Sequence, residues 1–539
     1  MDIIIKNGRI IDGTGNPWFK ANIGIDDGKI VEINRSQIGS GAKVIDAEGM
    51  FVAPGFINLH SHSGLTVING NKCENSLRQG LTTEIAGGDG RAYYGMKETL
   101  RDFIKNLLKK QIGYEGDVDW LTLEEYRRRV EEKGIGINIA PFAGHDTIRK
   151  SIMGCPSDYW GGYWKRQPTP DELNEMKKLL ASCMEDGAFG LATGIEYTPE
   201  VTTEELIELC KVVAQYGGVH ISHIRSEGAF LIEAVKEIIE ISKLTGVPVC
   251  INHHKACHPS NWGKVNETLR LIDHARDQGI EIICDMYPWT YTEINKIKDR
   301  IPIDPNLKLE EIIEKLKDPE QWSKIKRRLK DKYEKFVPEL NKVVAYPLVH
   351  TYIAYSKSHP EVIGKNLEEA AKVLGLSDGW EVLREFYLSD KGDTRVAARM
   401  CEEDLITILK HPFSAISTDS CCEYFPEKYG PYHPRGWGTY PLVLEKYVKI
   451  KKVLRLEEAI RKMSSLPASF LGLKDRGLIK EGMWADIVIF SMERIRNKAT
   501  YANPYAYPEG IDYVIVNGVV VIERGKHTGA LPGKVLRRN

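Results

Sequence analysis

The sequence predicts an α/β protein built on a (β/α)8 barrel of the TIM type, carrying a small β-sandwich domain made from both chain ends and a helical insertion. Three observations lead there. Residues 1–54 and 478–539 read as short apolar strands punctuated by turns. Between them, short Ile/Val-rich strands alternate with amphipathic helical stretches, which is the pattern of parallel β-then-α units. One Lys/Glu-rich stretch, 292–410, interrupts that alternation.

Taken in order, Ile3-Ile4-Ile5, Ala21–Ile25, Ile30–Ile33 and Val44–Ile45 are separated by Gly13-Thr14-Gly15 and Asp26-Asp27-Gly28, the grammar of antiparallel hairpins. The same grammar returns in Asp486–Phe490 and in Val514–Ile522 around Asn517-Gly518, so one domain is expected from both termini. The barrel is expected over 55–477, with strands Gly55–His60, Leu81–Ala86, Ile137–Phe142, Gly187–Gly194, Val219–Arg225, Val247–His253, Ile280–Tyr287 and Ser414–Asp419. Helices fit between most of them, as in Thr203–Tyr216 and Leu231–Thr245, where apolar residues recur at i, i+3, i+4. The 292–410 stretch holds charged helical segments (Leu309–Leu316, Trp322–Phe336, Leu367–Leu374, Gly379–Tyr387). It lies between strands seven and eight, so it emerges on the face where barrel enzymes keep their sites, either as a solvated excursion or as a lid.

The chain has 539 residues, 74 Lys+Arg against 75 Asp+Glu, and a formal net charge of −1. That balance argues against a protein devoted to phosphate or anionic lipid, so neither nucleic acid nor membrane is expected as a partner. No apolar run approaches the ~18 residues of a membrane span, and the start, Met1–Lys6, lacks the form of a secretory signal. The ten cysteines contain no C-x-x-C pair and read as mostly reduced, partly buried thiols of a cytoplasmic protein, with Cys421-Cys422 the one oddity.

The chemistry is concentrated at strand ends. In His60-Ser61-His62, residues two apart on an extended strand point the same way, so two imidazoles face one side, half of a metal site. Strand five ends at His223, strand six at His253-His254, strand eight at Asp419, and strand two runs on to Asp89. A single histidine in such a place is ordinarily a core residue with one hydrogen bond. Four histidines and an aspartate together at the carboxyl ends point to a metal-dependent hydrolytic site. His145 reads as structural, His254 as facing the helices, and the loop pair Cys257-His258 as unrelated to metal.

These residues resemble the amidohydrolase superfamily, and further motifs narrow the resemblance to the D-aminoacylases (N-acyl-D-amino-acid deacylases). Among them are Ala143–Arg149, Gly187–Gly194, His223–Gly228, His433-Pro434-Arg435, Gly438–Pro441, Ser465–Ala468, Gly472–Gly477 and Trp484-Ala485-Asp486. The resemblance covers essentially the whole chain. It implies a divalent cofactor, one or two ions, zinc with manganese, cobalt or iron as alternatives. His223 and His253 match ligands of the tighter ion, and His60 and His62 match those of the weaker one. Asp419 matches the catalytic acid/base, Lys255, Tyr287 and Arg435 the grip on the substrate carboxylate, and Tyr197 a position near the scissile group. The substrate it implies is a small N-acyl amino acid.

Two positions depart from the family pattern. The strand-two motif usually ends in Asn-Cys-Gly with the cysteine a ligand, whereas here it is Gly88-Asp89-Gly90. A carboxylate is a harder ligand than a thiolate and shifts preference towards manganese, cobalt or iron. A serine of the carboxylate pocket appears as Glu293, which disfavours a second acidic group on the substrate. The competing readings are a cyclic amide hydrolase like dihydroorotase or hydantoinase, a D-residue dipeptidase, and a catalytically silent barrel. Cyclic amide hydrolases usually carry a bridging carboxylated lysine on strand four, and Gly187–Gly194 contains no lysine.

Overall fold

The computed structural model describes residues 1–36, 38–155, 166–337, 342–422 and 433–538. Strands β1 (Ile3–Ile10), β2 (Phe19–Asp26), β3 (Lys29–Asn34), β4 (Lys43–Asp46) and β5 (Phe51–Pro54) come first. The barrel follows as β6 (Phe56–Asn58), β7 (Leu81–Ala86), β8 (Asn138–Pro141), β9 (Ala143–Gly144), β10 (Gly190–Gly194), β11 (Val219–His223), β12 (Val249–Ile251) and β13 (Ile282–Met286). After β14 (Asn295–Lys296), β15 (Glu334–Val337), β16 (Lys342–Ala345), β17 (Tyr352–Tyr355) and β18 (Arg395–Ala397), the last barrel strand is β19 (Ser414–Ile416). Strands β20 (Ile487–Phe490), β21 (Ile511–Val516), β22 (Val519–Glu523) and β23 (Lys526–His527) finish the count.

The barrel is parallel throughout. β6, β7 and β8 pair in order, and β9, β10, β11, β12, β13 and β19 form a second run. β8 and β9 are one strand interrupted at Phe142, so eight staves result. The ring closes where strand one meets strand eight: Ser61 bridges Ser420, Asp419 N–H donates to the His60 carbonyl at 3.0 Å, and His62 N–H to the Ser420 carbonyl at 2.9 Å. Inside, Ile85, Phe142, Phe189, Ile221 and Ile283 pack in one cluster that Phe470 and Leu471 close from the amino-terminal end. The expected helices are present as Thr203–Gln215 and Leu231–Thr245. The first is started by the Thr202 side chain, which accepts from Glu205 N–H at 3.2 Å, and the second is stopped by Gly246 at φ +72°.

The two chain ends meet in one sheet of order β23-β22-β21-β20-β5-β1-β2-β3, with β4 also on β1. The joint is β20 against β5, pairing Phe490 with Phe51 and Ile487 with Pro54. Asn517 and Gly518, both at positive φ, make the tight turn between β21 and β22 that the Asn-Gly pair foretells.

The insertion has its own apolar centre, with Ile297, Leu316, Trp322, Trp380, Phe386 and Val396 packed together. It is mainly helical (Leu309–Lys317, Pro319–Tyr333, Leu367–Leu374, Gly379–Asp390), and it also contains the antiparallel sheet β14-β18-β17 and the hairpin β15-β16. Among the described residues no helix is long and apolar enough to cross a membrane.

Candidate metal centre

Asp89 lies at the middle of the site. Its loop, Gly87-Gly88-Asp89-Gly90, turns with Gly87 at φ +102°, Asp89 at +55° and Gly90 at +76°. Glycines make that path available, and close packing demands them too. A Cβ on Gly88 would lie 2.6 Å from the Ser61 carbonyl oxygen, and one on Gly194 2.6 Å from that of Asp89. The loop is thereby pressed between strands one and four. His253 at φ +35° and Asp419 at φ +48° are also in the left-handed region, a strain the surrounding packing holds in place.

Four imidazoles surround the Asp89 carboxylate. Oδ1 lies 3.4 Å from His60 Nε2, 3.6 Å from His223 Nδ1 and 3.8 Å from His253 Nε2, and Oδ2 lies 3.6 Å from His62 Nε2. Asp419 Oδ1 stands 3.4 Å from both His60 Nε2 and His62 Nε2. These separations are long for hydrogen bonds and match the edge of a tetrahedron, about 3.4 Å, around an ion with bonds of about 2.1 Å. Two half-sites share Asp89: His60, His62 and Asp89 on one side, Asp89, His223 and His253 on the other.

The polar atoms of this cluster call for a cation. His60 Nε2, His223 Nδ1 and Asp89 Oδ1 are buried without a hydrogen-bond partner. Burial by itself raises the Asp89 carboxyl, yet its histidine neighbours hold it well below the usual carboxylate range. Against the same burial, Glu227, Asp89 and Glu196 push His223 up to about 10, and Asp419 and Asp89 raise His60. Excess negative charge in a dry pocket is the cause, and a divalent cation on the same nitrogens and oxygens relieves it. The donor set therefore fits a divalent metal.

The far sides of two histidines are fixed by carboxylates that sequence reading did not single out. His223 Nε2 is 2.8 Å from Glu196 Oε2, and His253 Nδ1 is 2.7 Å from Glu227 Oε1. At His223 the contact places the ring proton on Nε2 and leaves Nδ1 facing Asp89; at His253, Lys255 Nζ also lies 2.7 Å from Nδ1, so Glu227 and Lys255 together orient the ring with Nε2 towards Asp89. The one available signal was proximity: Glu196 follows strand four by two residues, and Glu227 lies four residues past His223. Deeper, the buried Asp285 accepts from His253 N–H at 2.9 Å and from Asn252 Nδ2 at 2.7 Å, holding the end of strand six.

The expected substrate-gripping residues line the same cavity, which has a volume of about 940 Å³. Arg435 Nη1 donates to Asp419 Oδ2 at 2.6 Å, while its Nε is buried without a partner. Lys255 Nζ contacts the Glu227 carboxylate. Tyr287 lies between the two cations, its ring centre 5.5 Å from Lys255 Nζ and 4.8 Å from Arg435 Cζ. The Tyr197 ring lies tilted against that of His223, with the ring centres 4.6 Å apart. His60 is fully buried beneath this surface, whereas His62, Asp89, His223, His253 and Asp419 open onto it. Thr292, Glu293, Arg300 and His350 of the insertion form part of the wall.

His145 and His254 make structural contacts, whereas Cys257 and His258 line the cavity wall. His145 Nε2 pairs with Glu205 Oε1 at 2.8 Å, and His254 Nε2 with Thr268 Oγ1 at 2.8 Å on the helix Val265–Asp277.

A parallel barrel with this cluster at the carboxyl ends of its strands suits many hydrolases, and comparison with known proteins decides the lineage. The Amidohydrolase family profile matches residues 43–522. The chain belongs to the amidohydrolase family. Among relatives of this amidohydrolase, an N-acyl-D-glutamate deacylase of Alcaligenes xylosoxydans xylosoxydans is 30% identical over 100% of this chain and 97% of the relative. A D-aminoacylase of the same organism is 28% identical over 100% and 98%. The crystal structure of N-acyl-D-glutamate deacylase from Bordetella bronchiseptica, complexed with zinc and a phosphonate inhibitor that mimics the tetrahedral intermediate, superposes with a TM-score of 0.76. It has 28% identity, and the match covers 100% of this chain and 99% of that one.

Proposed function

We propose that this amidohydrolase is a metal-dependent hydrolase of linear amide bonds that releases free amino acids from N-acyl-D-amino acids. The observation that supports it most is Asp89 set among four imidazoles, with the Asp419–Arg435 pair at its edge. His60, His62, Asp89, His223 and His253 would hold the metal, one ion or two, zinc as in the superposed relative or a harder ion favoured by the carboxylate. When bound, a divalent cation supplies Lewis acidity that polarises the amide carbonyl and makes water ionisable near neutral pH.

The chain's own groups do the rest. Asp419, kept ionised by Arg435 against its burial, takes the proton of the attacking water and passes it to the departing amine. Arg435 and Lys255, with Tyr287 between them, hold the α-carboxylate, which places the scissile amide towards Asp89. A substrate carboxylate arriving at Arg435 competes with Asp419 for the guanidinium and so loosens that ion pair as binding proceeds. Tyr197, beside His223, flanks the scissile group. The lysine that cyclic amide hydrolases usually carry on strand four is missing from Gly187–Gly194, and Asp89 belongs to both candidate ligand groups. The proposed setting is the cytoplasm.

The test is a hydrolysis panel of N-acetyl-D- and N-acetyl-L-amino acids, run on protein stripped with EDTA and reloaded with zinc, manganese, cobalt or iron. Turnover of D-substrates that vanishes on stripping and returns on reloading is expected. Turnover of L-substrates alone, or activity indifferent to chelation, overturns the assignment.

A further inference from the structure

The vicinal cysteines Cys421 and Cys422 are divided by the fold. Cys421 faces the cavity, while Cys422 turns away from it into the seam between strands one and eight. There its Sγ meets Cys73 Sγ at 3.0 Å, with both side chains fully buried. Two sulfurs at that separation are inside ordinary van der Waals contact, and a bond of about 2.05 Å asks for a further approach of only about 1 Å.

We propose that Cys73 and Cys422 form a disulfide that clasps the closing seam of the barrel. The backbone on both sides is already held in register for it. Cys422 N–H donates to Ser63 Oγ at 2.8 Å, and Thr66 Oγ1 donates to the Cys422 carbonyl. Asn75 Nδ2 donates to the carbonyls of Cys421 at 3.0 Å and Gly436 at 2.9 Å, and Gln79 Nε2 joins it on Gly436 at 2.8 Å. The segment after strand one is thus stitched to the segment after strand eight on either side of the sulfur pair.

The seam is where a clasp has most to hold. Strands one and eight are joined by few backbone bonds, and these strands carry His60, His62 and Asp419. A crosslink three residues past Asp419 fixes the relative position of the two metal-facing segments. It also closes a loop spanning 349 positions in the unfolded chain, where a crosslink restricts the ensemble strongly.

The chemistry balances with a low-molecular-weight disulfide as oxidant. One cysteine thiolate attacks it, forming a mixed disulfide and releasing one small thiol. The second cysteine then attacks the mixed disulfide and releases the other. Two protein thiols are oxidised by two electrons, and the small disulfide is reduced to two thiols. Because both sulfurs are buried, the exchange takes place as the chain folds, and burial shields the finished bond even in a reducing compartment, so this pair departs from the reduced state expected of the chain's cysteines.

The experiment needs no variant. The full-length protein is refolded with oxidised glutathione, then unfolded in guanidinium with N-ethylmaleimide and digested without reductant. We expect Cys73 and Cys422 to escape alkylation and appear as one linked peptide pair that dithiothreitol separates, with Cys421 alkylated. Full alkylation of Cys73 and Cys422, or either one linked to Cys421 instead, overturns the proposal. As a second readout, reduction in denaturant followed by refolding should lower Tm by a few degrees in the wild type. Cys73→Ser and Cys422→Ser should show no such response, and an equal response in the variants counts against the clasp.

Discussion

Asp419 is bound by three demands at once: its backbone N–H closes the barrel on His60, one carboxylate oxygen faces His60 and His62, and the other receives Arg435. Asp419→Asn keeps the shape and the hydrogen-bonding capacity of the side chain but removes the proton acceptor. Turnover should fall by at least about 100-fold while metal content, measured by elemental analysis, is unchanged. Retained turnover would remove Asp419 from the proton-transfer role. Glu196 and Glu227 act one step further out, by presenting the right nitrogen of His223 and His253. Glu196→Gln and Glu227→Gln should each weaken metal affinity by about 10–100-fold, read by competition with a chelating dye. Unaltered affinity in both variants would show that ring orientation does not depend on them.

Strand ends carry the site, whereas the helices behind them carry stability. Glu205, near the start of the helix Thr203–Gln215, is buried against His145 and Arg149 of the helix His145–Met153. Burial raises its carboxyl, but the hydrogen bond and charge of His145, with Arg149, outweigh this and hold it below the ordinary value. A carboxylate depressed in the folded state contributes stability that is complete above the unfolded pKa of about 4.3 and is lost as pH falls through the folded value. Glu205→Gln should therefore destabilise the wild-type fold at pH 7 by roughly 3 kcal/mol, with the gap narrowing in acid; equal melting curves at both pH values would refute the pairing. The insertion supplies the second case. Glu293 projects into the cavity, and its charge acts on Arg435 and Tyr197. Glu293→Ser should raise kcat/KM for N-acetyl-D-glutamate relative to N-acetyl-D-methionine by about 10-fold, and an unchanged ratio would exclude Glu293 from specificity.

Most of the barrel strands were legible because they are short Ile/Val-rich runs ending in polar residues, although strand four, Gly187–Gly194, has neither Ile nor Val, and His60-Ser61-His62 was legible because a two-residue period is a local property. Glu196 and Glu227 were not, since a carboxylate on a loop looks solvated until the fold brings an imidazole to it. The insertion's small sheet was also hidden: β14 and β18 are two and three residues long, too short for any alternation to register.

For the whole molecule the two faces of the barrel have separate tasks, and the chain's last described residues belong to the face opposite the site. From Ile135 onward strand three is accompanied by the segment 532–536. Gly533 N–H donates to the Ile135 carbonyl at 2.8 Å, Ile139 N–H to the Lys534 carbonyl at 2.8 Å, and Leu536 N–H to the Ile139 carbonyl at 2.7 Å. Val535 is buried, and Leu536 packs against the cluster that fills the barrel interior. Gly533 permits this approach, because a Cβ there would press on the backbone of Ile137, carbonyl oxygen included. Three backbone hydrogen bonds and two apolar side chains together contribute roughly 5 kcal/mol. Gly533→Ala should displace the segment and lower Tm by roughly 5 °C, while kcat and KM measured well below the transition stay at wild-type values, because the metal cluster lies at the carboxyl ends of the strands. A loss of activity matching the loss of stability would mean that the two faces are coupled through strand three, and an unchanged Tm would mean that the segment is a passenger on the barrel.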